Sequence, residues 1–423
     1  MGTVPRGRLY WSFWETVSST IQLVFARRLR SGPMVGHLEA LMASHFDVND
    51  LVATSRARVS LQLLLNHLGA RPGDQILLSP ITIRPMLDVV VGLGLVPLYC
   101  DLCEDNMIFG EEALKLAVLH KPKFSLLTPL FGISANTGPL LKILKTAGCT
   151  SIIDVSQTAD TYFRGLGVWD GADYGIASLS ALKTVDSFGG GLLFSPQGHP
   201  LEKLRTKVDA LPMPPKKVVL LAALRNCLYA LYATPLVCGL AVTFFATVNV
   251  FSPGWLMRQS GGRRLGVRSG LPVALVSQYS DFQASLAIKA FRRRPKLVLR
   301  RKLLARELRS VVSGLNTSEI FVPETDDVSG SDFWQVLVYV SKPQEFQKFL
   351  WKYGIDSGST SLSFLPGASP DGGEKVALPV ARKIHAGSLF LPMHPLFRQS
   401  AVSSLFDALA DLEATEGEGK VSP

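Results

Sequence analysis

Between Asp50 and about Pro196, short apolar or β-branched runs alternate with stretches of helical pattern, and this alternation restricts the fold more than any other feature of the chain. The strand runs are Gln75–Ser79, Val96–Cys100, Phe124–Pro129 and Thr150–Asp154. The helical stretches between them are Ser60–Leu68, Pro85–Gly92 and Pro139–Ala147. This order is typical of a mostly parallel sheet covered by helices, in which ligands bind at the carboxyl ends of the strands.

A second, smaller α/β unit is expected near the carboxyl terminus. Its elements are a helical pattern from Ser277 to Val312, a strand at Phe333–Tyr339, a helix near Pro343–Tyr353 and a closing helix at Ala401–Leu412. The chain of 423 residues, 47% hydrophobic, is long enough for one large core and an appended domain. We predict an amphipathic segment 1–36, a large domain 37–215, an apolar helical insertion 216–262, a helical connection with a smaller domain 263–412, and a disordered tail 413–423.

The five cysteines are scattered and odd in number, which favours a reducing compartment and makes the cytoplasm the expected location. Cys100 and Cys103 form a C-x-x-C, but no second pair completes a tetrahedral site, so we expect no metal.

The formal net charge is +10, and much of it lies in basic runs. These runs are Arg27–Arg30, Arg263–Arg268 and Arg292–Lys302. Since no motif of a nucleic-acid-binding fold accompanies them, we expect no nucleic-acid partner and favour contact with an anionic membrane surface.

Two segments raise the question of membrane contact. Trp14, Ile21 and Phe25 recur at helical spacing, which favours a helix packed on the core, with an interfacial helix as the alternative. Residues 226–257 carry no charge and exceed the length of a bilayer span. Because a single span would separate the two halves of one fold, we expect two short helices there, buried or lying in one leaflet as a peripheral membrane contact.

Three groups of residues lie where such a sheet binds its ligands, at the carboxyl ends of strands or in the turns that follow them. Thr54-Ser55-Arg56-Ala57 precedes a helix, whose first N–H groups favour a phosphate. Asp154 ends an apolar strand as part of Asp154-Val155-Ser156-Gln157. Lys183 follows the strand that ends near Ser178 and precedes Gly189-Gly190-Gly191, which indicates a lysine in a close-packed turn rather than on a solvated face.

The ordered set resembles the DegT/StrS family of pyridoxal-phosphate (PLP) dependent sugar aminotransferases. A small-residue phosphate loop, a D-x-x-Q and an S-x-x-x-x-K before a glycine pair occur there in the same order. The similarity runs from about His37 to Leu412 and includes Arg71-Pro72-Gly73-Asp74 and Leu391-Pro392-Met393-His394. It implies the fold of fold-type-I PLP transferases.

By position, the resemblance makes Lys183 the Schiff-base lysine, Asp154 the partner of the pyridine nitrogen and Gln157 a contact near the ring's phenolic oxygen. Ser178, Ser55, Arg56 and Ala57 then lie near the cofactor phosphate. A lysine at position 183 favours the aminotransferase branch, because dehydratase members carry histidine there.

The sequence departs from the family pattern at three places. Ile83 stands where an aromatic residue usually stacks on the PLP ring, and Ser55 stands where the phosphate loop usually has a glycine. Val276-Ser277-Gln278 stands where the neighbouring subunit usually contributes an Asn-Tyr-Arg element.

The resemblance implies a homodimer that transfers an amino group from an amino acid, by analogy L-glutamate, to a keto-sugar linked to a nucleotide or a lipid. With the apolar insertion, it suggests envelope polysaccharide or glycolipid synthesis at the inner face of the membrane. Two alternatives stay open: another fold-type-I PLP enzyme that acts on an amino acid, and a membrane-associated regulatory homologue that has lost catalysis.

Overall fold

The computed structural model of the chain describes residues 3–26, 28–247, 270–314, 320–323, 325, 327–359, 362–366, 377–397, 403 and 407–409. The helices are α1 (Phe13–Phe25), α2 (Pro33–Phe46), α3 (Ala57–His67), α4 (Arg84–Gly92), α5 (Glu111–Ala117), α6 (Gly138–Thr146), α7 (Glu202–Asp209), α8 (Lys216–Tyr232), α9 (Pro235–Thr247), α10 (Asp281–Gly314), α11 (Pro343–Lys352) and α12 (Pro379–Gly387). The strands are β1 (Leu51–Thr54), β2 (Gln75–Leu78), β3 (Ile81–Thr82), β4 (Val96–Tyr99), β5 (Phe124–Leu127), β6 (Thr150–Asp154), β7 (Tyr162–Phe163), β8 (Leu166–Gly167), β9 (Tyr174–Ser178), β10 (Gly191–Phe194), β11 (Ile320–Phe321), β12 (Val336–Val340), β13 (Gly358–Ser359), β14 (Ser363–Phe364) and β15 (Ser388–Leu391).

Seven strands form the large sheet, in the order β1-β10-β9-β6-β5-β2-β4. Strand β10 runs antiparallel to both of its neighbours, and the other pairs are parallel. Every residue of β1, β5 and β10 is buried, as expected for strands covered on both faces. The predicted mostly parallel sheet is therefore confirmed, and its four predicted strands agree with β2, β4, β5 and β6 to within two residues.

The smaller sheet has the order β11-β12-β15-β13, and its neighbouring strands are antiparallel. Strand β12 begins at Val336, so the predicted start at Phe333 was wrong. The backbone at Phe333 takes a φ of 47°, which ends the extended run and leaves residues 332–334 in a loop against Gly132. The predicted closing helix at 401–412 lies largely outside the described residues, as does the tail, and the domain boundaries stay predictions.

The apolar segment forms two helices, α8 and α9, as predicted, although α8 already begins at Lys216. Within the described residues, no helix by itself has the length and hydropathy to cross a membrane. Residues Lys216–Tyr232 and Pro235–Ala241 reach that length together, but a bend of 81° separates them. Residues 248–269 lie outside the described part.

We expected the aromatic and apolar side of the N-terminal helix to pack on the core, and the structure of α1 shows that this was wrong. Trp14, Ile21 and Phe25 are exposed, whereas Thr16 and Thr20 are buried. The reason is that α1 packs on α8, whose facing side offers small residues and Asn226 rather than a deep apolar groove.

The basic run on α10 is less available to a partner than its sequence suggests. Arg301 is fully buried and paired with Asp332, Arg293 is paired with Glu15, and Arg294 lies 3.1 Å from an oxygen of Asp160. These three arginines hold elements of the fold together, whereas Arg292, Lys296 and Arg300 of the same run are exposed, so the expected basic surface stays a prediction.

Two of the three glycines at the start of β10, Gly189 and Gly191, are required by the close approach of Arg56. A Cβ atom at Gly191 would lie 2.2 Å from the backbone carbonyl carbon of Arg56, and one at Gly189 would lie 1.6 Å from its guanidinium. The glycine triplet therefore lets the start of α3 and the chain after Lys183 pack together.

We expect Gly191→Ala to lower the free energy of unfolding by about 2 kcal/mol or more, because the added carbon meets backbone rather than a flexible side chain. Gly36→Ala is the matched control, since a Cβ atom there meets nothing within 4 Å in helix α2. That control should raise the same free energy by up to about 1 kcal/mol. Urea unfolding followed by circular dichroism measures both, and equal effects would contradict the packing described.

Candidate active site

Lys183 and Asp154 share one buried region at the carboxyl edge of the large sheet. Asp154 is the last residue of β6 and is 3% exposed, and Lys183 lies in the turn after the neighbouring strand β9. Burial lowers the pKa of Lys183 to about 8, while the charges of Asp154 and Asp332 oppose that shift. Burial also raises the pKa of Asp154, because the carboxylate is taken out of water.

The carboxylate of Asp154 is held in position by the chain that follows it. Its Oδ1 accepts a hydrogen bond of 2.9 Å from the backbone N–H of Ser156. Three residues after Asp154, Oε1 of Gln157 accepts a bond of 2.9 Å from the backbone N–H of Phe131. With its oxygen engaged, the Gln157 amide offers its NH₂ group to a partner in the site.

Trp334 covers one side of the Lys183 amine. The Nζ atom lies 3.8 Å from the centre of the Trp334 ring, which is within the range of a cation–π contact. The indole is fixed by a bond of 3.0 Å from its Nε1 to the carbonyl oxygen of Leu182. Sequence analysis missed Trp334 because the apolar pattern assigned it to a strand, whereas it belongs to the loop before β12.

Arg301 and Asp332 form a buried ion pair behind the lysine turn. Nη2 of Arg301 donates to Oδ2 of Asp332 over 2.9 Å, and Nε donates to the Asp332 carbonyl oxygen over 2.9 Å. Nη1 donates to the hydroxyls of Thr184 and Tyr10. Sequence analysis missed these residues too, since their only signal was a run of charge that is usually solvated.

A small cavity of about 30 Å³ lies beside Lys183, with room for about two waters. Its polar lining residues include Gln157, Ser178, Lys183, Arg294 and Asp332, together with the Trp334 ring. The structure thus brings three of the predicted site residues into one cavity. The other predicted residues lie outside this lining, namely Ser55, Arg56, Ala57, Ile83 and Asp154.

Arg56 is a buried cation at the start of α3. Its Nη1 donates to the carbonyl oxygen of Ser55 over 2.6 Å, and no carboxylate of the described residues forms an ion pair with it. Burial, with Arg58 and Arg225 nearby, lowers its pKa to about 10. A guanidinium beside the first N–H groups of a helix, which include that of Ala57, suits a phosphate, although the charge of Asp186 also acts on it.

The remaining predicted residues have local roles in the structure. The hydroxyl of Ser55 donates to the carbonyl oxygen of Leu275, and the hydroxyl of Ser178 accepts from the N–H of Ser180 over 3.3 Å. Ile83 is the exposed residue before helix α4. Gln278 bonds through its amide to the carbonyl oxygens of Asp209 and Leu211, so this chain uses it at the end of its own α7.

These observations fit PLP in the chemistry of the donor set. A partly deprotonated lysine lies in the field of a buried carboxylate, an amide presents its NH₂ group, and an arginine that forms no ion pair within the described residues lies at a helix start. The roles of the individual residues stay predictions.

The architecture and this residue set define the class of fold-type-I PLP-dependent transferases. The structure of Spr1654 from Streptococcus pneumoniae in its PLP form is similar to the chain with a TM-score of 0.70 and 16% identity, over 98% of each chain.

The sequence comparisons find similarity to one family over slightly less than half of the chain. Residues 15–211 match the model of the DegT/DnrJ/EryC1/StrS aminotransferase family. It is 22% identical over 191 residues to the spore coat polysaccharide biosynthesis protein SpsC of Bacillus subtilis (strain 168), covering 45% of this chain and 49% of SpsC. It is 26% identical over 202 residues to the L-glutamine:2-deoxy-scyllo-inosose aminotransferase of Streptomyces kanamyceticus, covering 45% of this chain and 47% of that enzyme. The chain thus spans about half the length of the curated relatives it matches.

We expect Asp154→Asn to move the pKa of Lys183 below its value of about 8, because the attraction of the carboxylate for the ammonium is lost. Pyridoxal phosphate serves as an aldehyde probe, since only the deprotonated amine attacks it. The capture rate, followed by absorbance, should rise with a midpoint near pH 8 in the wild type and at lower pH in the variant. Asp74→Asn, which removes a surface carboxylate paired with Lys123, should leave the midpoint unchanged. A shared midpoint for all three proteins would show that Asp154 and Lys183 do not interact.

Proposed function

We propose that this chain is a PLP-dependent aminotransferase that moves an amino group from an amino acid to a keto-sugar. The observation that carries the proposal is the partly buried Lys183, whose pKa is lowered, in the field of the buried Asp154. Such an amine is partly neutral near neutral pH, so it can bond to a carbonyl carbon and carry a proton. The match of residues 15–211 to the aminotransferase family model supports the same reaction type.

Each site residue then has a task in this reaction. PLP, when bound, supplies an electron sink for the negative charge that remains when the substrate carbon loses a proton. Asp154 would hold a proton on the ring nitrogen, and Lys183 would take the proton from the substrate carbon and return it. Arg56 and the first N–H groups of α3 would bind the phosphate, and the Gln157 NH₂ group would bind the phenolic oxygen.

The substrate and setting follow from the relatives. SpsC is named for polysaccharide biosynthesis, and a second relative is named as an aminotransferase of a cyclic ketone. We propose a keto-sugar acceptor carried on a nucleotide or a lipid, in envelope polysaccharide or glycolipid synthesis. L-glutamate is the proposed donor, and the L-glutamine in the name of the second relative makes glutamine the donor to compare with it. The protein would work as a homodimer in the cytoplasm, with a peripheral contact to the inner face of the membrane.

A second candidate function is a regulatory homologue without catalysis. Two observations favour it: Ile83 cannot stack on the ring as an aromatic residue does, and Trp334 lies directly over the amine. The two candidate functions differ in whether the protein converts a keto-sugar substrate.

We expect the purified protein to convert a keto-sugar nucleotide and L-glutamate into an amino sugar and 2-oxoglutarate. Lys183→Ala should lower turnover by about 10³-fold or more, since both the nucleophile and the proton carrier are lost. Lys142→Ala, which removes an exposed lysine of α6, should leave turnover unchanged. Mass spectrometry of the sugar and an enzymatic assay of 2-oxoglutarate measure the reaction. Absence of turnover on a panel of keto-sugar nucleotides, with either donor, would favour the second candidate.

A further inference from the structure

Helix α1 exposes large apolar side chains and buries hydroxyl side chains, whereas an ordinary surface helix does the reverse. Its exposed side carries Trp14 and Phe25, which are 75% and 80% exposed, and Ile21 between them. Its buried side carries Thr16 and Thr20, whose hydroxyls bond to the carbonyl oxygens one turn earlier. The outer side of α1 is therefore better suited to an apolar environment than to water.

Helix α8 lies beside α1 and shows the same inversion. Its exposed leucines, spaced three and four residues apart, fall on one side of the helix, and they are Leu221, Leu224, Leu228 and Leu231. Its buried side carries small residues such as Ala222 and Ala223, with Asn226 among them. Leu236 and Leu240 on the exposed side of α9 extend the apolar surface.

Specific contacts fix these helices in their orientation. Thr20 Oγ1 and Cys227 Sγ lie 3.3 Å apart between α1 and α8. Asn226 donates a bond of 2.8 Å to the buried carboxylate of Asp186, three residues after Lys183. Nζ of Lys216 donates over 2.6 Å to the carbonyl oxygen of Ala26. Turning the leucines inward would break these bonds, so the apolar side faces outward in the folded chain.

We call the outward side chains of α1, α8 and α9 the apolar face: Trp14, Ile21, Phe25, Leu221, Leu224, Leu228, Leu231, Leu236 and Leu240. Monomeric proteins rarely leave a contiguous surface of this kind in water. Removing such side chains from water is favourable, so covering the apolar face would stabilise the folded chain.

The charges around the apolar face distinguish between possible occupants. Arg28, Arg30, Lys217 and Arg225 are exposed at its borders. In segments 13–30 and 216–247 the one acidic residue is Glu15, which is already paired with Arg293. A second copy of this face would bring like charges together, whereas an anionic lipid surface complements them.

We propose that the apolar face docks flat on an anionic phospholipid surface, with its aromatic and leucine side chains at the acyl boundary and its bordering arginines and lysine on the phosphates. This inference rests on the peripheral attachment proposed above, and it assigns that attachment to the exposed sides of α1, α8 and α9. Interfacial helices bind in this way, through apolar burial combined with attraction to anionic lipid.

The test is sedimentation of the full chain with vesicles, either phosphatidylglycerol mixed with phosphatidylcholine or phosphatidylcholine alone. The wild type should bind the mixed vesicles more tightly. Leu224→Gln/Leu228→Gln and Trp14→Gln/Phe25→Gln should each weaken that binding by at least about tenfold. Arg28→Glu/Lys217→Glu should remove the preference for phosphatidylglycerol.

Leu116→Gln/Leu119→Gln is the matched control, since these leucines of α5 and the following turn are equally exposed but lie outside the apolar face. It should bind vesicles as the wild type does, and thermal melts should show that all variants are folded. Wild-type binding by the apolar-face variants would overturn the proposal. A change in oligomeric state by light scattering, with no change in vesicle binding, would assign the face to a second copy and would also overturn it.

Turnover of a soluble keto-sugar nucleotide, measured without vesicles, separates this proposal from the proposed function. The apolar-face variants should retain wild-type turnover, because none of the substituted residues lies in the active site. Vesicle binding without turnover in the wild type would refute the aminotransferase and leave the docking surface standing.

Discussion

The buried ion pair of Arg301 and Asp332 is the interaction on which the geometry of the active site depends. A guanidinium without exposure to water is tolerated only when its donors are paired, and here the partners come from different parts of the chain. Tyr10 lies in the N-terminal segment, Thr184 directly follows Lys183, and Asp332 precedes β12. The Arg301 side chain thus connects the turn that holds Lys183 to both sheets.

The position of Trp334 follows from this pair. Oδ1 of Asp332 accepts from the backbone N–H of Trp334 over 3.0 Å, which sets the loop that brings the indole over Lys183. Trp334, in the loop before the smaller sheet, therefore covers the amine of Lys183. Asp154, at the end of a strand of the larger sheet, attracts its positive charge. The lowered pKa of Lys183 is the result of that enclosure.

The sequence was sufficient for the parts of the fold whose cause is local. Strands β2, β4, β5 and β6 read as apolar runs because helices bury both faces of the sheet, and Asp154 was visible as the polar end of one run. The turn of Lys183 was visible through the glycines that Arg56 requires. Trp334, Asp332 and Arg301 were not, because their roles depend on contacts between residues far apart in the chain. The orientation of α1 could not be predicted either. Apolar residues at helical spacing indicate that one side of a helix is covered, but they do not indicate what covers it.

The central claim is that Lys183 is the amine that binds an aldehyde cofactor in the field of Asp154. The most direct measurement is to incubate the purified chain with pyridoxal phosphate, reduce it with borohydride and map the modified peptide by mass spectrometry. The account predicts a single phosphopyridoxyl group on Lys183, at one equivalent per chain, and its loss in Lys183→Ala. Modification spread over exposed lysines, with Lys183 unlabelled, would contradict it.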